Sequence, residues 1–230
     1  MAKKKVTYKW DEFLKRLKDS IFRPQRQTKD IVFRLVFGND RQALLQLYNV
    51  LHGTAYTDPH ELQIVTLDNA IYISRKNDLA FLLAGSINMY EHQSTLNPNM
   101  PVRFLIYLAQ EYQLLVESMD KSLYGSELIP LPTPQCVVFY NGIVDTPDEY
   151  ELRLSSAFSN QDVEPAVEVV VKVININYGH NEYLMQGCGM LSQYAQFVAA
   201  TREYANKYDN REEAMNAAIE YCIEHGILED

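Results

Sequence analysis

No stretch of this chain approaches the roughly 18 consecutive apolar residues of a membrane-spanning helix. The basic opening MAKKKVTYKW is followed by no apolar segment of the kind that drives export. No secretory signal is expected, and the chain is read as cytoplasmic. Cysteine is scarce: Cys136, Cys188 and Cys222 are far apart and odd in number. That argues against a disulfide framework or a cysteine zinc site and for buried thiols in a reducing compartment. Internal repeats and low-complexity tracts are absent. A net charge of −9 argues against simple coating of nucleic acid.

What is present is enough for one large domain, or one domain with appendages, since 47% of the 230 residues are apolar. Charge is unevenly placed. Residues 1–30 carry ten Lys/Arg against four Asp/Glu, a net of +6, and the remainder carries −15. A basic arm on an acidic body suits either a phosphate-tracking segment or a solubilising tail.

Trp10, Phe13, Leu14, Leu17 and Ile21 recur at helical spacing, which predicts an amphipathic helix over 10–21 that docks on the body. Helices are expected at 28–37, capped by Thr28 with Asp30 in the first turn, and at 41–52, ended by Gly53. The alternating 62–66 segment, with 71–73 beyond a bulge or turn, predicts a strand. Residues 79–83 and 87–93 predict a hairpin about a Gly85-Ser86 turn. A helix follows from Pro101 to about Met119, then a short strand 136–140. Residues 145–165 read as acidic and turn-rich. A strand at 168–176 and helices at 183–206 and 210–225, the last with Gly226 as its cap, complete the chain. The order is mixed α/β with a central sheet.

Side chains alternate across a strand, so Ile87, Met89, Glu91 and Gln93 share one face of 87–93, and Asn88, Tyr90 and His92 the other. A carboxylate among apolar residues on a buried face costs several kcal/mol on general grounds and needs a compensating group. With the turn at 84–86, Glu91 pairs near Leu79, beside Asp78, and Gln93 near Asn77. Facing residues lie about 5 Å apart, so Asp78 and Glu91 can reach one small cation. Two carboxylates plus a backbone carbonyl suit Mg²⁺. An ion pair of Glu91 with Arg103 or Lys76 is the rival explanation. His92 faces the other way and is expected in the core or behind the ligands, not as a ring ligand.

The runs "KNDLAFLL" and "NMYEHQSTLNPNMPVRFLIYLAQEY" resemble the recombination-promoting nuclease and putative transposase family, a branch of the PD-(D/E)XK nucleases. "TKDIVFRLVFGN" is similar to its first-helix signature and "VVFYNG" to its later core strand. The resemblance covers roughly residues 28–142. It implies a restriction-endonuclease-like αβββαβ core, a mixed central sheet flanked by helices, with an N-terminal basic helix and C-terminal helices. The organisation expected is a basic arm over 1–27, a nuclease-like core over 28–182, and a helical extension of the same domain over 183–230. It implies Asp78 and Glu91 as metal ligands and catalytic residues, with the backbone carbonyl of His92 completing the shell and Asp30 as a further ligand. It implies Gln93 where many relatives of the wider superfamily carry Lys, and Arg103 and Tyr140 as supporting residues. Gln orients a water but lends it no charge.

The expected activity is a Mg²⁺-dependent DNA endonuclease (Mn²⁺ or Ca²⁺ as alternatives) linked to recombination or mobile elements. DNA is the expected partner, with a homodimer if both strands are cut, and no membrane or organic cofactor is expected. The rival is a catalytically inactive nuclease-fold module that binds DNA or a partner protein. A glycosidase using the two carboxylates is a third reading, supported only by the abundance of tyrosine.

Overall fold

Two apolar stretches, Leu79–Leu83 (β2) and Ser86–Gln93 (β3), fold back on each other as an antiparallel hairpin. In the computed structural model, residues 25–65, 78–119 and 121–228 are described, with side chains from Val32 onward in the first helix. The helix expected at 10–21 and the strand segment at 71–73 lie outside the described residues.

The hairpin turn is Ala84-Gly85, not Gly85-Ser86. Both residues have positive φ, 49° and 76°, as a two-residue turn matched to strand twist requires. Leu83 therefore faces Ser86, and Leu79 faces Tyr90. The register differs by one residue from the sequence expectation. Carried one step further, it sets Asp78 opposite Glu91 and on the same face, where the expected register set Leu79 there.

β3 continues into a parallel pair with Thr133–Tyr140 (β4), from Ser86↔Thr133 to Gln93↔Tyr140. β4 starts three residues earlier than expected. Gln63–Ile64 (β1) pairs antiparallel with β2. Glu149–Arg153 (β5) pairs antiparallel with Val170–Asn175 (β6). Among the described residues the sheet is mixed and six-stranded, in the order β1-β2-β3-β4-β6-β5. β5 falls in the stretch read as turns. Its sequence EYELR alternates: Tyr150 and Leu152 pack on the core, and the charged residues form ion pairs, Lys172–Glu149 and Arg153–Glu151.

Helix numbering in chain order is α1 (Gln25–Asn39), α2 (Arg41–His52), α3 (Met100–Ser118), α4 (Glu182–Gly187), α5 (Gly189–Lys207) and α6 (Arg211–Glu224). The sheet residues, His60–Tyr140 and Val144–Ile174, form one compact unit. The other helices group with Asn141–Ile143 in a second. In the sheet unit, α3 packs Met100, Phe104 and Tyr107 against Ala80, Ile87, Met89, Val138, Tyr140, Val171 and Val173. That is the face that carries Glu91.

In the helical unit, Asp40 caps α2 by accepting the N–H groups of Gln42 and Ala43. Gly53, at φ 62°, ends α2 as its sequence predicts. α1 begins at Gln25, so Asp30 sits in its second turn. The single helix expected over 183–206 is two. Cys188 is extended (φ −131°, ψ 94°) and divides α4 from α5. Gly187 packs so closely on Val50 that a Cβ there would lie 2.4 Å from Val50 Cγ2. Arg202 donates to Asn177 Oδ1 (2.6 Å) and to the Asn141 carbonyl, while Asn141 Nδ2 donates to Tyr194 Oη (2.9 Å). The three cysteines are free thiols, and burial pushes them up to about 12 (Cys136), 11 (Cys188) and 11 (Cys222). Among the described residues no helix is long and apolar enough to cross a membrane.

Candidate functional site

Alternation along β3 produces two unlike faces. Tyr90 turns away from α3 and its ring meets Phe81 and Phe139 edge-on, with centroids 5.1 and 5.3 Å away. His92 shares that side, so its ring does not join Glu91. Met89 and Glu91 turn towards α3. Glu91 is 2% exposed, on a face otherwise lined by apolar side chains.

Asp78 immediately precedes β2. Its Oδ2 accepts the backbone N–H of His92 at 2.8 Å, which anchors the carboxylate to the strand that carries Glu91. Burial pushes the Glu91 carboxyl up to about 8, and the nearby Asp78 charge adds to the rise. The Arg103 guanidinium opposes both, with smaller help from the Asp78 backbone N–H and the Gln93 amide, and does not overcome them.

Arg103 reaches across from α3. Its Nη2 donates to Glu91 Oε2 at 2.9 Å, and the Gln93 amide nitrogen approaches the same oxygen at 3.4 Å. Arg103 is also held within its own helix: Nε and Nη2 donate to Tyr107 Oη at 3.2 and 3.1 Å, and Nη1 to Met100 Sδ at 3.2 Å. Burial works against its charge, but the Glu91 carboxylate and Tyr107 outweigh it and its pKa rises. The ion pair named as a rival explanation is therefore formed, although at one oxygen only. Glu91 Oε1 is buried and completes no hydrogen bond. Lys76, the other rival partner, lies outside the described residues.

The structure thus brings Asp78, Glu91, Gln93, the His92 backbone and Arg103 together. Tyr140 stands opposite Gln93 in the β3–β4 register, but its hydroxyl exchanges hydrogen bonds with the Val144 carbonyl (3.1 Å) and N–H (3.2 Å). It holds the chain after β4. Asp30 lies on α1, and its side chain is outside the described residues. Tyr107 is the site residue that the sequence reading missed. Its spacing from Arg103, i to i+4 on a helix, is the signal that would have found it.

Among the described residues no group of three His, Cys, Asp or Glu side chains is placed to hold a metal ion. The donor set is two carboxylates of the hard-oxygen kind that Mg²⁺ prefers, one of them with an unpartnered buried oxygen. Such a set fits an ion that keeps its other positions for water and phosphate. No family model matches the chain, and no match was found among curated proteins or solved structures. The fold itself is α/β with a six-stranded mixed sheet.

Proposed function

We propose that this chain is a divalent-metal-dependent DNA endonuclease with a PD-(D/E)XK-type core, acting in recombination or mobile-element biology in the cytoplasm. The observation that carries the reading is the neighbouring pair of carboxylates at the start of β2 and the end of β3. Asp78 is anchored on the His92 N–H, its charge acts on Glu91, Glu91 is buried, and one Glu91 oxygen has no hydrogen bond. Burying a carboxylate next to another is costly unless a cation offsets the repulsion.

Asp78, Glu91 and the backbone carbonyl of His92 would hold Mg²⁺ or Mn²⁺. The ion would supply Lewis-acid polarisation of a phosphodiester and of the attacking water. Gln93, two residues beyond Glu91 on the same face, would orient that water by hydrogen bonding, without the charge a lysine would lend. Arg103 fixes Glu91 from behind. The basic residues before position 30 would track the phosphate backbone, and a homodimer would allow both strands to be cut. The test is nicking of supercoiled plasmid with Mg²⁺: wild type nicks and Glu91→Gln does not. Equal nicking by both overturns the reading.

A second reading has its own support. The Arg103–Glu91 ion pair already compensates part of the buried charge, and no third ligand side chain stands among the described residues. On this reading the chain is a catalytically inactive nuclease-fold module that binds DNA or a partner protein. It predicts no heat on titration with Mg²⁺ or Mn²⁺.

A further inference from the structure

A guanidinium beside a carboxylate ordinarily forms two parallel hydrogen bonds, one to each oxygen. Arg103 does not. Nη2 reaches Glu91 Oε2, and the second oxygen, Oε1, is left buried with no donor. The reason is visible on α3. The Nε–Nη2 edge that would grip a carboxylate points at the Tyr107 hydroxyl, with both nitrogens donating to it, and Nη1 donates to Met100 Sδ. Met100, Arg103 and Tyr107 are three and four residues apart, so one helix face supplies all three groups. Tyr107 is itself 2% exposed and packed in the core cluster, which fixes where its hydroxyl stands.

Resting on the metal-site reading above, we propose that Tyr107 is a positioning residue: it keeps the Arg103 guanidinium from closing on both oxygens of Glu91 and so reserves Oε1 for a divalent cation. Without the hydroxyl, the fork is free to turn and satisfy the orphaned oxygen, and a cation must then displace a two-point ion pair to bind. With the hydroxyl, Arg103 steadies the carboxylate through Oε2 only. Gln93 approaches that same oxygen at 3.4 Å, so both side-chain donors fall on one side of Glu91.

Tyr107→Phe keeps the ring in the core and removes only the anchor. Calorimetric titration of the full chain with Mn²⁺ alone reads the effect. Tyr107→Phe weakens Mn²⁺ binding about tenfold, as expected for loss of a group that orients a ligand. Its metal-free melting temperature stays close to wild type, because the freed guanidinium satisfies Oε1. Adding Arg103→Gln to Tyr107→Phe removes the competing fork and recovers affinity, which loss of packing alone does not produce. Wild-type affinity in Tyr107→Phe, or no recovery in the double variant, overturns the proposal while leaving the metal site standing. A wild type that takes up no Mn²⁺ overturns the metal site and this proposal together.

Discussion

The backbone N–H of His92 donates to Asp78 Oδ2 across 2.8 Å, and this bond ties the residue before β2 to the strand that carries Glu91. It brings one carboxylate up to another on the same face of the sheet. The hydrogen bond holds Asp78 in place although its charge pushes the Glu91 carboxyl upward. The site is therefore held by geometry against its own electrostatics, an arrangement more often found where function needs it than where only stability does.

Asp78→Asn should separate those two effects. An asparagine oxygen still accepts the His92 N–H, but the negative charge is gone. The metal-free variant is expected to melt higher than wild type at pH 8. It should also lose the rise in melting temperature that Mn²⁺ gives wild type. Differential scanning fluorimetry with and without Mn²⁺ reads both.

Stability of the metal-free protein should fall as pH rises. Glu91 titrates at about 8 in the folded chain, above the ordinary carboxylate value near 4.5 that it regains on unfolding. Between those values the folded state binds the extra proton, so stability is full below the lower value and is lost as pH climbs through the upper one. Chemical denaturation at pH 5, 6.5 and 8 should show this slope in wild type and a flatter one in Glu91→Gln. A wild type that gains stability over this range contradicts the buried-carboxyl assignment.

Away from the site, Gly187→Ala should destabilise the helical unit by about 1–3 kcal/mol, the usual cost of overpacking. A Cβ there meets Val50 Cγ2 at 2.4 Å. Val50→Ala in the same chain should restore part of the loss, since it opens the space the new methyl needs. Urea unfolding of the two single variants and the double variant measures the coupling.

Much of the arrangement was legible in the sequence because strand alternation is a strong constraint. Ile87, Met89 and Glu91 must share a face, so a buried carboxylate followed from pattern alone. The register was missed by one residue because Ala84, at φ 49°, takes the first turn position in a left-handed conformation that glycine favours. That single step moved Asp78 from a diagonal neighbour to the position facing Glu91. β5 was missed because its core face is only two residues, Tyr150 and Leu152, set among three charged ones in an acidic stretch. The division of the helix at Cys188 was missed because no proline marks it. Arg103 was foreseen as a competitor for Glu91. That it holds only one oxygen depends on Tyr107, a three-body relation that pairwise pattern reading does not reach.

Diffraction from crystals soaked in Mn²⁺, collected for its anomalous signal, tests the central claim most directly. The account predicts a peak between the carboxylates of Asp78 and Glu91, on the side of Oε1, with Arg103 still on Oε2. No peak there, with the guanidinium closed over both oxygens of Glu91, contradicts it.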